Sequence, residues 1–353
     1  MIHVEKAALD SPIVNKLERE NIAYAVVERV EDVPDRKSEI VVLQRHENYC
    51  RPCPGTKIYR CCGYYTTDVM EGCPFDCSYC ILQAYLSHKN IRVSGDTVSI
   101  TNSLKEIVKQ GIPRRLGTGE LSDSLALDGI FPFTLLLAPV INNQDVIQFE
   151  FKTKSANIRN LLGLNPKNIV VSWSLNPQNI ITDEEYATAS LEDRLNAAKT
   201  CAEAGFKLAF HFDPVICCNG YAEDYSALIL RLINVIPEYA VEYVSISAFR
   251  APSLLIDRMR ERKERSAILK GDLSLGLDGK FRYFKPLRRD ILNDMLRLLN
   301  KHWTGVFVYY CMEHASVWEK NMGNDPGEKD EFEKLFPWSK KHNAGREDAY
   351  VVY

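Results

Sequence analysis

The 353-residue sequence predicts an α/β protein: a partial (β/α)6, TIM-like barrel with an N-terminal extension and a C-terminal α+β appendix. Two observations predict it. Strand-like and helix-like runs alternate between residues 66 and 250, the pattern of parallel βα units. About six such units can be counted, short of the eight that close a barrel. The expected division is residues 1–65 as extension, 66–250 as barrel and 251–353 as appendix.

In chain order, a charged helix is expected over 11–21, and a strand before Cys73. Residues 114–120 are strand-like and end in GTGE; 133–138 (FTLLLA) read as a short buried helix before Pro139. Residues 146–152 (VIQFEFK) alternate like a strand, and 155–162 follow with helical spacing. Residues 168–175 (NIVVSWSL) form a β-rich run before Pro177. Residues 191–204 have apolar positions at helical period and stop at Gly205, a C-cap signal. Then come a strand at 207–212 (KLAFHF), a helix at 224–235 and a strand at 241–248 (VEYVSISA). Catalytic groups in such folds sit at the carboxyl ends of strands, which directs attention to 73–80, 117–123, Lys154, 174–176 and 211–213.

Composition narrows the function classes. Hydrophobic residues make up 46% and charged residues 26%, as in ordinary water-soluble proteins. No run of about 18 apolar residues is present, so no membrane partner is expected, and the N-terminus lacks a secretory pattern. A cytoplasmic location follows, in which eleven cysteines read as cluster ligands, other metal ligands or buried thiols. A net charge of −3 gives no global nucleic-acid signal, so any such affinity must be local.

The most informative motif is the triplet Cys73, Cys77 and Cys80, at CxxxCxxC spacing. Three thiolates can hold three irons of a [4Fe–4S] cube and leave the fourth iron open. The alternative, a closed zinc site, would need a second CxxC or a histidine pair downstream, and none follows. With Tyr79 beside the last cysteine, the triplet resembles the signature of radical S-adenosylmethionine (SAM) enzymes.

Read with their surroundings, these residues make the chain resemble the spore photoproduct lyase family of radical SAM enzymes. The resemblance runs through HVEKAALDSP near the start, EGCPFDCSYCILQ, LSD at 121–123, FKTKSANIRNLL at 151–162, VSWSLN at 171–176 and SLEDRLNAAKTCAEAGF at 190–206. It implies a [4Fe–4S] cluster on Cys73, Cys77 and Cys80. It also implies SAM as cofactor, held around Ser122, Lys154, Ser174 and Asn176, and reductive cleavage of SAM to a 5′-deoxyadenosyl radical. The implied substrate is a thymine dimer photoproduct in DNA, and the implied electron donor a protein such as flavodoxin or ferredoxin.

Two departures stand out. Glu120 occupies the position of the family's hydrogen-donating cysteine, and of its paired tyrosines Tyr79 is present but Ile81 replaces the other. Glu120 has a second reading: Gly117, Gly119 and Glu120 resemble the glycine–glycine–glutamate motif that holds the SAM amino group in many radical SAM enzymes. Both readings leave Tyr79 and Glu120 as catalytic candidates. They also open a rival function, a relative acting on RNA, a cofactor or a small molecule.

Three further features bear on function. Cys50, Cys53, Cys61 and Cys62 precede the motif and could form a second metal site, a thiol donor or buried thiols; Cys217, Cys218 and Cys311 are other candidates, and Cys201 reads as core. Residues 258–289 carry eleven Lys or Arg against four Asp or Glu, and Lys280, Arg282 and Tyr283 sit in a basic–aromatic hairpin suited to nucleic acid. The charge run at 257–265 reads as a solvated helix face. His211, His314 and Trp318 read as packing residues.

Overall fold

Seven strands run parallel in one open, curled sheet, in the chain order Tyr65–Thr67, Arg114–Thr118, Ile147–Thr153, Ile169–Ser174, Lys207–Val215, Val241–Ala248 and Phe307–Tyr310. An eighth strand, Cys50–Pro52, adds antiparallel at the first edge. The computed structural model describes residues 1–45, 47–262 and 266–343; positions 263–265 of the expected basic helix lie outside them. The inner strands are buried on both faces, as parallel strands must be when helices cover them, and Phe149, Phe151, Trp173 and Phe210 fill the interior.

The helical cover follows local signals. Ser190 caps Leu191–Glu203 by accepting from the Asp193 N–H at 3.1 Å, and Gly205 ends it at φ 89°. Ser11 likewise caps Pro12–Arg19. The expected helix at 155–162 is not formed, apart from a 3-10 turn at Leu161–Gly163. Its polar residues hydrogen-bond elsewhere: Ser155 Oγ accepts from the Asn157 N–H, while Asn157 and Asn160 donate to the carbonyls of Leu125 and Asp128.

A second sheet sits at the N-terminus, in the order Ala25–Val27, Ile2–Glu5, Ile40–Leu43, Ile91–Ser94, Met70–Glu71. It crosses residue 65, because the strand that follows the cysteine motif pairs with Ile40–Leu43. The two edges of the large sheet are drawn together by chain segments rather than by strand pairing. Arg60 bridges antiparallel to Glu313 and Cys62 bridges to Lys329. Beside them Arg115 donates to both oxygens of Glu333, at 2.9 and 2.8 Å. Among the described residues no helix is long and apolar enough to cross a membrane.

Candidate active site

The concave face of the sheet encloses a cavity of about 500 Å³, and its wall draws residues from nearly every strand end. Cys73, Cys77 and Cys80 stand on one side of it. Their loop starts at Gly72, whose φ of 91° and close approach to Ile91 Cα (3.2 Å from a notional Cβ) leave no room for a side chain. The loop is held by a two-residue antiparallel pairing of Asp76–Cys77 with Glu185–Tyr186, and by Gln83, which donates to the carbonyls of Cys77 and Ser78 at 3.0 Å. Burial pushes the Cys73 thiol well up and that of Cys77 up to about 12, with Lys154 opposing the latter. Among the described residues no three His, Cys, Asp or Glu side chains converge on a single ion. A cube gives each thiolate its own iron, and three free thiols from one short loop on one cavity wall suit that division.

Behind the loop lies a fully buried ionic network. Arg194 donates to Glu185 at 2.6 Å, to the Ser174 carbonyl at 2.9 Å and to the Ala189 carbonyl at 3.0 Å. Asn176 donates to Glu185 at 2.8 Å, and the Tyr79 hydroxyl donates to the same carboxylate. Burial alone would raise the Glu185 carboxyl, yet Lys154 and Arg194 hold it below the usual range. Lys154 places its ammonium 5.6 Å from the Tyr79 ring and keeps a raised pKa, because Glu185 and Cys77 outweigh its burial. Its backbone N–H donates to Asp123, which also accepts from Thr153 Oγ1 and from the N–H groups of Leu125 and Ala126. That one carboxylate ties two strand ends together.

The structure brings Tyr79, Gly119, Glu120, Ser122, Lys154 and Ser174 to the same cavity wall as the cysteine triplet. Two expected cofactor contacts stand elsewhere. Asn176 lies behind Tyr79, its amide saturated by Glu185, Tyr79 and Tyr225. Gly117 is absent from the cavity wall: a Cβ there would stand 2.1 Å from Tyr64 Oη and 2.3 Å from the Glu150 carbonyl, so its glycine serves packing. The hairpin reading also needs correction. Arg282 is 2% exposed, bound to both oxygens of Asp278 and stacked 3.9 Å from the Tyr59 ring, while Tyr283 is fully buried and its hydroxyl accepts from the Cys217 N–H. Neither offers a face to a base or phosphate here. Lys280 does reach the cavity mouth, beside exposed Leu275 and Leu277.

Sequence reading missed the cavity floor. His211 is buried as expected, but its ring bridges Glu150 and Ser245 at 2.6 Å each, and all three line the cavity. Arg250 and Asp213 pair at 3.0 Å next to them. Alternation in KLAFHF could have flagged His211 as inward-facing, since it sits at an interior position of its strand. His314 instead accepts from the Ser316 N–H as a helix cap, Trp318 packs in the core, and Cys201 is buried in its helix. Cys217 and Cys218 lie off the cavity wall.

Glu120 invites a direct test. Burial pushes its carboxyl up, with Lys152 opposing. A folded-state pKa above the unfolded value, near 4.3, costs stability as pH rises through that interval. Glu120→Gln is expected to raise Tm by a few degrees at neutral pH. The gap should shrink toward pH 4, as read by thermal melts across pH.

Comparison with known proteins agrees with this geometry. The family model described as spore photoproduct lyase matches residues 59–251. The spore photoproduct lyase of Clostridium acetobutylicum is 23% identical over 262 residues, covering 69% of this chain and 76% of its own. That of Bacillus subtilis is 23% identical over 259 residues, covering 67% and 74%. A solved spore photoproduct lyase complexed with dinucleoside spore photoproduct superposes with TM-score 0.76 at 22% identity, covering 88% of this chain and 98% of that one. A mutant form solved with bound AdoMet and dinucleoside spore photoproduct gives TM-score 0.76 at 21% identity, with the same coverage. Since the family match spans more than half of the sequence, the chain belongs to the spore photoproduct lyase family of radical SAM enzymes.

Proposed function

We propose that this protein holds a [4Fe–4S] cluster on Cys73, Cys77 and Cys80, binds SAM beside it and repairs a thymine dimer photoproduct in DNA. The observation that carries the reading is convergence: three thiols, one half-buried ammonium and the strand-end residues Gly119, Glu120 and Ser122 face a single cavity. The dinucleoside spore photoproduct bound by related solved proteins supports the substrate. Together, cluster and SAM would supply a 5′-deoxyadenosyl radical. The chain's own residues then bind and orient. Lys154 offers its ammonium to a carboxylate, Ser122 and Ser174 offer hydroxyls, and Glu120 offers a carboxylate to an amino group. Tyr79 is fixed by Glu185 and Asn176 as a rigid wall beside Lys154. Glu120 cannot return a hydrogen atom as a thiol does, because its O–H bond is far stronger.

We read residues 1–65, 66–250 and 251–353 as extension, barrel and appendix, with the appendix lending Phe307–Tyr310 to the barrel sheet and the extension's sheet borrowing Met70–Glu71 and Ile91–Ser94, and with electrons arriving from a flavodoxin- or ferredoxin-like donor in the cytoplasm. Lys280 and the exposed Leu275 and Leu277 form the rim that would meet DNA and receive an everted dimer. The test is anaerobic reconstitution with SAM and a reductant, followed by assay of 5′-deoxyadenosine and of repair of a synthetic dinucleotide photoproduct. Both are expected. SAM cleavage without repair overturns the substrate, and no SAM cleavage overturns the whole reading. Lys154→Ala is expected to raise the KM for SAM roughly ten- to hundredfold, the loss of one charge-assisted hydrogen bond.

A further inference from the structure

The ion pair Asp213–Arg250 lines the cavity but has no part in the roles assigned above. Both side chains keep some exposure, 17% for Asp213 and 14% for Arg250. Asp213 stands two residues beyond His211 on Lys207–Val215, next to the floor that His211 forms with Glu150 and Ser245. Arg250 opens the short strand Arg250–Pro252, which pairs antiparallel with Lys280–Tyr283 of the hairpin. The pair therefore joins the barrel floor to the rim where Lys280 lines the cavity mouth.

Arg250 is held from several sides. Nη1 donates to Asp213 Oδ1 at 3.0 Å and also to Ser247 Oγ, while Nη2 donates to Asp213 Oδ2 at 3.3 Å. Nε donates to Met312 Sδ at 3.2 Å, and Ser247 passes its own proton to the Cys311 carbonyl at 2.9 Å. A guanidinium has five N–H donors, and these contacts use four of them. Among the described residues the second N–H of Nη2 meets no acceptor, and Asp213 Oδ2 accepts only once. Donor and acceptor lie side by side on one edge of a planar, two-pronged pair.

That edge has a definite chemistry. The pair carries no net charge, so a phosphate or carboxylate gains little from a guanidinium that is already neutralised. An uncharged ring with a carbonyl next to an N–H completes both bonds at once: the carbonyl accepts from Nη2, and the ring N–H donates to Asp213. The imide of thymine is such a group, and enzymes that evert a base read this edge of it. Because Arg250 is fixed before any ligand arrives, little side-chain entropy is lost on binding.

We propose that the free edge of Asp213–Arg250 reads the imide of one thymine of the substrate and so sets base specificity. The inference rests on the photoproduct reading given above. Adenine, with a ring nitrogen beside its amino group, offers the same order of acceptor and donor, which makes SAM the competing occupant. The fold favours the substrate. Arg250 is built on the strand that carries the hairpin rim, whereas Lys154 and the cysteine triplet stand at another strand end and on their own loop.

Equilibrium binding of dinucleoside spore photoproduct to reconstituted protein tests it, against two analogues that each carry an N3-methyl on one ring. Methylation of one ring is expected to weaken binding at least about tenfold, and methylation of the other less than about twofold. Asp213→Asn is expected to erase that preference, because an amide that keeps its oxygen on Arg250 turns N–H donors toward the ring. Its SAM affinity should stay within about twofold of wild type. Equal binding of parent and analogues by wild-type protein, or equal losses at both rings, overturns the inference, and needs no variant should Asp213→Asn fail to fold. An Asp213→Asn protein that loses SAM affinity instead assigns the edge to adenine and overturns it too. In each of these cases repair of the unmodified photoproduct leaves the substrate reading standing, whereas no photoproduct binding at all removes both.

Discussion

Replacing Arg194 with methionine is expected to cost about 3–5 kcal/mol of stability. Arg194 and Glu185 are both fully buried, and removing the guanidinium strands a carboxylate that also receives Tyr79 and Asn176. Lys154 remains as a partner but sits on the cavity side, where it cannot replace bonds to the Ser174 and Ala189 carbonyls. Because Glu185 pairs with the backbone of Cys77, the damage reaches the cysteine loop. Urea unfolding should therefore show a lowered midpoint, and reconstituted protein a lowered iron content. The pH dependence has a definite sign. The Glu185 pKa is depressed on folding, so its contribution is present above the unfolded value near 4.3 and is lost as pH falls below it. A variant that melts like its parent at pH 7 would show that the network holds nothing in place.

Gly117→Ala is expected to be as severe, above roughly 4 kcal/mol, with little soluble protein recovered. Its Cβ would collide with the Glu150 carbonyl at 2.3 Å and with Glu150 Cβ at 3.0 Å, and backbone cannot swing aside as a lysine tip can. Gly119→Ala meets atoms only at 3.2 Å or beyond, but its φ of 105° penalises a side chain by about 1–2 kcal/mol. Expression yield and thermal melts of the two variants distinguish them. If Gly117 served SAM instead, its alanine variant would fold normally and lose only SAM affinity.

Much of the framework could be read from residues alone, for reasons that are local. The cysteine triplet is a contiguous motif, and strand ends announce themselves where β-rich runs meet Gly or Pro. That placed Lys154, Ser122 and Ser174 near the cavity before any coordinates. What escaped depends on distant partners. Glu185 and Arg194 look like surface charges in a helical stretch until the fold buries both beneath Cys77. His211 looks isolated until Glu150, 61 positions earlier, arrives beside it. Arg282 counted as a free cation because charge patterning overlooks Asp278, four residues upstream, which neutralises it. Gly117 shared a tetrapeptide with Gly119 and Glu120, yet strand pleating turned it toward the barrel interior. The helix expected at 155–162 failed because Ser155 Oγ took the Asn157 N–H and the Asn157 and Asn160 amides went to the carbonyls of Leu125 and Asp128, 32 positions earlier.

The Arg115–Glu333 clamp has a bearing on how the molecule is made. Arg115 belongs to the second parallel strand, yet the carboxylate that neutralises it is translated 218 positions later. A nascent polypeptide can stack its early strands while a guanidinium inside them still awaits its counter-ion. The chamber is thus finished by a stretch made long after the strands it closes, and a deletion that removed Glu333 would strike the middle of the protein.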